Sequence, residues 1–121
     1  MEVRSRSQAE PFTALDESTI RVIADARVGG AFKQSLAEAT VAAGKSTRRH
    51  YHAATEEIYV VLEGNGELEV EEKRAVVSPG DAVLIPPRAR HRIRAGEEGE
   101  LRFLCCCAPA YRDEDTFFDE Q

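Results

Sequence analysis

The stretch Gly44-Lys45-Ser46-Thr47-Arg48-Arg49-His50-Tyr51-His52-Ala53-Ala54-Thr55-Glu56-Glu57-Ile58-Tyr59-Val60-Val61-Leu62-Glu63-Gly64 decides how this chain reads. It carries His50 and His52 one residue apart, Glu57 five residues later, and then the β-branched and aromatic run Ile58 to Leu62. Side chains alternate along a strand, so His50 and His52 project to one face, about 7 Å apart at the backbone. His91, the remaining histidine, follows the Pro86-Pro87 corner. Three imidazoles and a carboxylate form a mixed nitrogen and oxygen donor set. Such a set suits a divalent transition metal (Mn, Fe, Ni, Zn or Cu) and suits Mg or Ca poorly. The plainer alternative is a chance HxH pair among core or surface strand histidines.

Outward from this stretch, short strands alternate with turns. Residues 1–13 mix charge, Ser and Pro without periodicity and read as a loose arm able to dock on a partner subunit. A β-rich stretch from Ser18 to Val28 leads into Gly29-Gly30, and Ala31 to Ala42 reads as a further strand despite its alanines. Gly64-Asn65-Gly66 predicts a tight hairpin turn, because Gly and Asn tolerate positive φ. Glu67, Glu69 and Glu71 then alternate with Leu68 and Val70, giving one wet and one buried face. Ala75 to Val77 is another strand, and Ser78-Pro79-Gly80-Asp81 fits a type II turn. Ala82 to Ile85, His91 to Ala95 and Leu101 to Cys107 complete the series. Many short strands punctuated by Gly and Pro predict an all-β barrel or sandwich, here a single domain over 14–121.

The two histidine regions resemble the two motifs of the cupin family. The first motif is a Gly, five residues, HxH, three or four residues, Glu, six residues and Gly. Gly44, His50, His52, Glu57 and Gly64 fit it, and the gap to Gly64 selects Glu57 over Glu56. The second is a Gly, five residues, Pro, one residue, Gly, two residues, His, three residues and Asn. Gly80, Pro86 and His91 fit it, while Arg88 stands at the second Gly and Ala95 at the Asn. Neither departure removes a ligand. The match covers Gly44 to His91 directly. Gln34 to Ala39, and the ending Leu101 to Cys107 with Pro109, Tyr111 and Glu114-Asp115-Thr116, are similar to small single-domain bacterial cupins. The resemblance implies a double-stranded β-helix, or jelly-roll barrel, with His50, His52, Glu57 and His91 holding a metal inside and a homodimer outside.

Around that site several residues carry two readings each. Tyr59 shares strand parity with Glu57 and is a candidate catalytic hydrogen-bond donor, or else a packed core tyrosine. Gln34 is a candidate to hold a substrate carboxylate, or an ordinary half-exposed glutamine. Phe103 shares a face with Cys105 and Cys107, and with Arg102 outward it would line the interior. The cysteine run reads as metal ligands, as a redox switch or as small core hydrophobes. Arg88 or Arg90 could bind an anionic group near the motif loop. Arg92 and Arg94 would face outward, where the Glu67, Glu69 and Glu71 stripe is a natural partner, or simply form a solvated sheet face.

The 121 residues carry a net charge of −6, which argues against a nucleic-acid partner. The apolar runs are too short to span a bilayer, and the N-terminus lacks the apolar core of a secretory signal. Three adjacent cysteines are no disulfide framework. The expected compartment is therefore the cytoplasm. The family hosts many chemistries. The first expectation is an oxygenase or decarboxylase acting on a small polar carboxylate or carbonyl compound. The alternatives are a sugar or sugar-phosphate isomerase and a non-catalytic ligand-binding domain. An isomerase needs a general base, and the sequence shows no obvious further histidine or free acid for it.

Overall fold

The computed structural model describes residues 1–119. Its strands are β1 (Phe12–Thr13), β2 (Thr19–Ala24), β3 (Ser35–Val41), β4 (His50–His52), β5 (Glu56–Glu63), β6 (Gly66–Val70), β7 (Lys73–Val77), β8 (Ala82–Ile85), β9 (His91–Ala95), β10 (Leu101–Ala108) and β11 (Thr116–Phe118). They form two antiparallel sheets, ordered β1-β2-β3-β10-β5-β8 and β11-β4-β9-β6-β7. The two sheets face each other as a jelly roll, which is the expected all-β barrel. No helix among the described residues is long and apolar enough to cross a membrane.

The alternation seen in the sequence becomes the two faces of each strand. Glu57, Tyr59 and Val61 of β5 are buried, as are Phe103, Cys105 and Cys107 of β10 and His91, Ile93 and Ala95 of β9. Along each of these strands the residue type changes from one end to the other. Val61, Leu101, Phe103, Ile93 and Ala95 belong to the apolar core, together with Val41, Leu68, Val77 and Ile85. Glu57, Cys107 and His91 occupy the opposite strand ends. One end of the barrel is thus closed by packing, at about 1.5–3 kcal/mol for each large apolar side chain buried. That rigid end fixes the polar end.

Three expectations are corrected. The Gly64-Asn65-Gly66 segment is not a hairpin turn, because β5 and β6 lie in different sheets. It is a corner where the chain crosses between layers. Gly64 has φ of 84°, and a Cβ there would run into the Glu100 carbonyl oxygen. The backbone of β10's approach leaves no room for a side chain, so the glycine is required by close approach as well as by φ. The N-terminal arm is not loose either. Arg6 pairs with the buried Glu38 at 2.8 Å, the Arg21 guanidinium donates to the Ala9 carbonyl at 2.7 Å, and Ala9 is buried. The arm docks on its own barrel. Finally, the strand expected over Ala31 to Ala42 begins only at Ser35, which leaves Gln34 exposed ahead of it.

The outer faces differ. On β6 and β9, Glu69 faces Arg92 and Glu67 faces Arg94 across the ladder. Glu69 pairs with Arg92 at 2.9 Å, Arg49 at 3.0 Å and Arg74 at 3.2 Å. The acidic stripe thus meets its arginines within the chain. The outer face of β5 and β8 instead exposes Ile58, Leu62 and Leu84.

Candidate metal centre

His50 and His91 are direct cross-strand neighbours on β4 and β9, and His52 lies two residues along β4. All three are buried, His91 completely. One ring nitrogen of each lies within 4.8 Å of the others. Glu57 reaches the same point from the facing sheet. Its Oε1 is 3.4 Å from Nε2 of His52 and 3.4 Å from Nε2 of His91.

The outward ring nitrogens decide the tautomers. Nδ1 of His50 lies 2.8 Å from the Arg48 carbonyl, and Nδ1 of His91 lies 2.9 Å from the Ala89 carbonyl. A carbonyl only accepts, so both Nδ1 atoms carry the proton. Nδ1 of His52 is 3.2 Å from Thr116 Oγ1, whose own hydroxyl donates to the Arg112 carbonyl at 3.0 Å. That hydroxyl has no second proton, so it accepts from Nδ1–H of His52. Each imidazole therefore turns a bare Nε2 to the centre, the arrangement that metal-binding histidines use.

Two atoms at this point are buried without a hydrogen-bond partner: Glu57 Oε1 and His91 Nε2. An unsatisfied buried polar atom costs about 1–3 kcal/mol, so an orphaned pair calls for a reason. A metal ion bound at this point would supply it. With metal–ligand bonds of about 2.1 Å, donors in neighbouring positions stand about 3.0–3.4 Å apart, which is the spacing of Glu57 from the two histidines. The donor set is that of a transition metal, and the residues present fit the group.

Burial opposes the charge on Glu57, but His52 and His91 beside it outweigh that and hold its carboxyl far below the usual range. Burial, then the neighbouring His91, push His50 down, which favours the neutral ligand form. Burial also disfavours charge on His52, yet the Glu57 carboxylate prevails and raises it. Burial first and Glu57 second raise Tyr59, Cys105 and Cys107 far above their ordinary values. The phenol and both thiols are therefore donors at neutral pH, and none serves as a base.

The centre opens into a cavity of about 710 Å³. Tyr59 and Phe103 line it, their rings 4.6 Å apart, and apolar Ile20, Ala37 and Ala39 continue the same face of the sheet beside them. Asp16 lines it as well, its Oδ1 held by Ser18 Oγ at 2.6 Å and by Ser18 N–H at 3.0 Å. The expectation that no acid other than the ligand would be available is corrected here: Asp16 comes from the segment before β2, far in sequence from both motifs. Gln34 and Arg88 are not in the lining, and neither is Arg90. Arg88 does keep the left-handed conformation of the glycine it replaces, with φ of 72°, and its N–H donates to the His52 carbonyl at 2.7 Å. Its role is to hold the motif loop against β4, while its side chain is exposed.

Beside Asp16, three further residues of the site were not given these roles from the sequence. Asp115 accepts N–H groups of Ala54 and Thr55 and so folds the acidic tail over the centre, bringing Thr116 to His52. Neither residue carries a local signal. Cys107 donates to Glu57 Oε2 at 3.3 Å, and its parity with Phe103 had placed it on the interior face.

Known proteins share this fold. A family model of the cupin domain matches residues 37–107, more than half of the chain. The chain is a cupin. An uncharacterised protein of Methanocaldococcus jannaschii is 39% identical over 107 residues, covering 88% of this cupin and 86% of that protein. The polyketide cyclase RemF of Streptomyces resistomycificus is 26% identical with a TM-score of 0.78, over 95% of this chain and 89% of that one. KdgF of a Halomonas species, at 19% identity, shares the fold with a TM-score of 0.79 over 94% and 97% of the two chains.

Proposed function

We propose that this cupin is a metal-dependent enzyme of the oxygenase or decarboxylase type, acting on a small carbonyl or carboxylate compound. The observation that carries this reading is the pair of orphaned atoms, Glu57 Oε1 and His91 Nε2, at the convergence of three Nε2-presenting histidines. A bound metal would act there as a Lewis acid on a substrate oxygen or, if redox-active, in O₂ chemistry. His50, His52, Glu57 and His91 would hold it through one atom each. Tyr59 offers a phenolic proton to a substrate oxygen, Phe103 and the aliphatic wall exclude water, and Asp16 is an acceptor for a substrate proton.

A second reading is non-redox carbonyl chemistry, as in a cyclase. The largely apolar cavity wall and the likeness to RemF favour it. A sugar-phosphate isomerase is less well supported, because the cations in the lining are Arg27 and Arg112 and both are exposed to solvent. We also propose a second copy of the chain as the occupant of the apolar outer face of Ile58, Leu62 and Leu84. Leu84→Glu should then convert a dimer to a monomer in sedimentation, whereas a monomeric parent would overturn that pairing.

The activity test is metal analysis of the purified protein, followed by turnover of 2-oxo acids, dicarboxylic acids and polyketide-like carbonyl compounds with and without O₂. One metal ion per chain and O₂ consumption support the first reading, and O₂-independent conversion supports the second. Turnover of a sugar phosphate alone, or stoichiometric binding with no turnover of any compound, overturns both.

A further inference from the structure

The two oxygens of Glu57 are used differently. Oε1 points to the three histidines and lacks a hydrogen bond. Oε2 accepts from Cys107 Sγ at 3.3 Å. The two residues are direct partners on neighbouring strands, Glu57 on β5 and Cys107 on β10, so the register of the ladder sets their separation. Both are buried, at 4% and 3% exposure, and water does not compete for the contact. Strand pairing extends on both sides of Glu57, since its other neighbour is Ile85 on β8. The backbone beneath the carboxylate cannot slide. The freedom left is in the side-chain torsions, and the Cys107 thiol opposes rotation of the carboxylate itself.

We propose that Cys107 is a positioning residue that keeps Glu57 a one-oxygen metal ligand and thereby preserves an open coordination position for substrate. This inference rests on the metal-site reading above. A carboxylate free to rotate can present both oxygens to a cation and occupy two positions. With Oε2 engaged by the thiol, Glu57 contributes Oε1 alone. On a six-coordinate ion four single-atom ligands would leave two positions, and His50, His52 and Glu57 line the cavity from which substrate would reach them. Cys105 lies two residues earlier on the same face, opposite Tyr59 rather than Glu57. Cys106 points to the other face of the sheet, opposite Ile58. The three adjacent cysteines are therefore not equivalent, and the positioning role falls on Cys107.

The test uses the full chain stripped of metal and titrated with Co²⁺, whose visible absorption reports coordination number, with azide as the probe of an open position. Four proteins are compared: the parent, Cys107→Ser, Cys107→Ala and Cys106→Ala. Loss of a hydrogen-bonding partner of a metal ligand typically weakens metal affinity about 10–100-fold. Cys107→Ala should fall in that range, show a weaker spectral response to azide because one of the two open positions is taken, and show an altered Co²⁺ spectrum. Cys107→Ser retains a donor and should recover most of the affinity and the azide response. Cys106→Ala should match the parent. Should Cys107→Ala fail to fold, as judged by circular dichroism, Cys107→Val replaces it, being of similar size and without a donor. The proposal is overturned if the donor-less variant binds Co²⁺ and azide as the parent does, or if serine is no better than alanine. A parent that binds no stoichiometric Co²⁺ instead overturns the metal-site reading itself, so the two failures are distinct.

Discussion

Adding a divalent transition metal to the metal-stripped protein should raise its melting temperature by a calculable amount, and removing His50 and His52 should abolish the rise. Without metal, Glu57 Oε1 and His91 Nε2 are buried and unpartnered, at about 1–3 kcal/mol each. Metal bonds satisfy both atoms only in the folded state, so binding stabilises folding by linkage. At a free metal concentration about 1,000 times Kd the gain is about 4 kcal/mol. An unfolding entropy of about 2.1 cal/mol/K per residue gives ~0.25 kcal/mol/K for 121 residues. Each kcal/mol is then worth about 4 °C, and the expected rise is about 16 °C. Differential scanning calorimetry at pH 7.5 with Mn, Co, Ni, Zn and anaerobic Fe(II) measures it. The His50→Ala, His52→Ala double variant should rise by less than about 3 °C, since half of the ligands are gone. Acidification should shrink the parent's rise, because protons compete with the metal for the three imidazoles. The reasoning is refuted if none of the five metals raises the melting temperature, or if the double variant rises as much as the parent.

Three further outcomes follow from particular contacts. Gly64→Ala forces a Cβ into the Glu100 carbonyl at a positive φ and should cost about 2 kcal/mol or more, lowering the melting temperature by about 8 °C; an unchanged melting curve would contradict the account of the corner. In the metal-free protein, burial and His91 hold His50 below its ordinary 6.5, so the unfolded state takes up that proton first and stability is lost as pH falls below about 6.5. His50→Asn should remove up to one proton's worth of that slope, about 1.4 kcal/mol per pH unit. Denaturant titrations from pH 7 to 5 check this; His52, which Glu57 raises, acts with the opposite sign and remains in both proteins. Glu38→Ala removes the partner of Arg6 and Arg102, so the arm should detach and trypsin should cut after Arg4 and Arg6 several-fold faster. The stability cost should be small, because Arg6 is half exposed and solvent screens its pairing.

How much was legible beforehand differs between fold and site. The parity of β5, β9 and β10 could be read because a barrel wall has one dry face, and the period-two pattern records it residue by residue. The Gly64 corner was misread because a Gly-Asn-Gly segment satisfies either a hairpin or a crossover; which of them forms depends on the strand that pairs alongside. Arg88 was seen as a possible cation at the cavity, but its conformation serves the loop and its side chain points away from the lining. Gln34 lies one residue before β3 and shares parity with Glu38, which pairs with Arg6 and Arg102 on the face away from the interior residues Ala37 and Ala39. Of the three readings of the cysteine run, Cys105 fits the small core hydrophobe and Cys106 lies half-buried on the outer face. Cys107 differs because its strand partner is Glu57.

By itself the sequence determined the metal-binding candidates and the barrel, since HxH on a strand, Glu57 and His91 occupy the spaced positions of two short cupin motifs. Local spacing suffices there, because the faces of a strand follow from the chain alone. Tertiary structure decided what surrounds those residues. It set the tautomers through Arg48, Ala89 and Thr116, brought Asp16 into the cavity, folded Asp115 over the centre, and divided the two oxygens of Glu57 between the histidines and Cys107. These contacts join residues that are distant along the chain or meet across a ladder. Their geometry exists only once the register between strands is fixed.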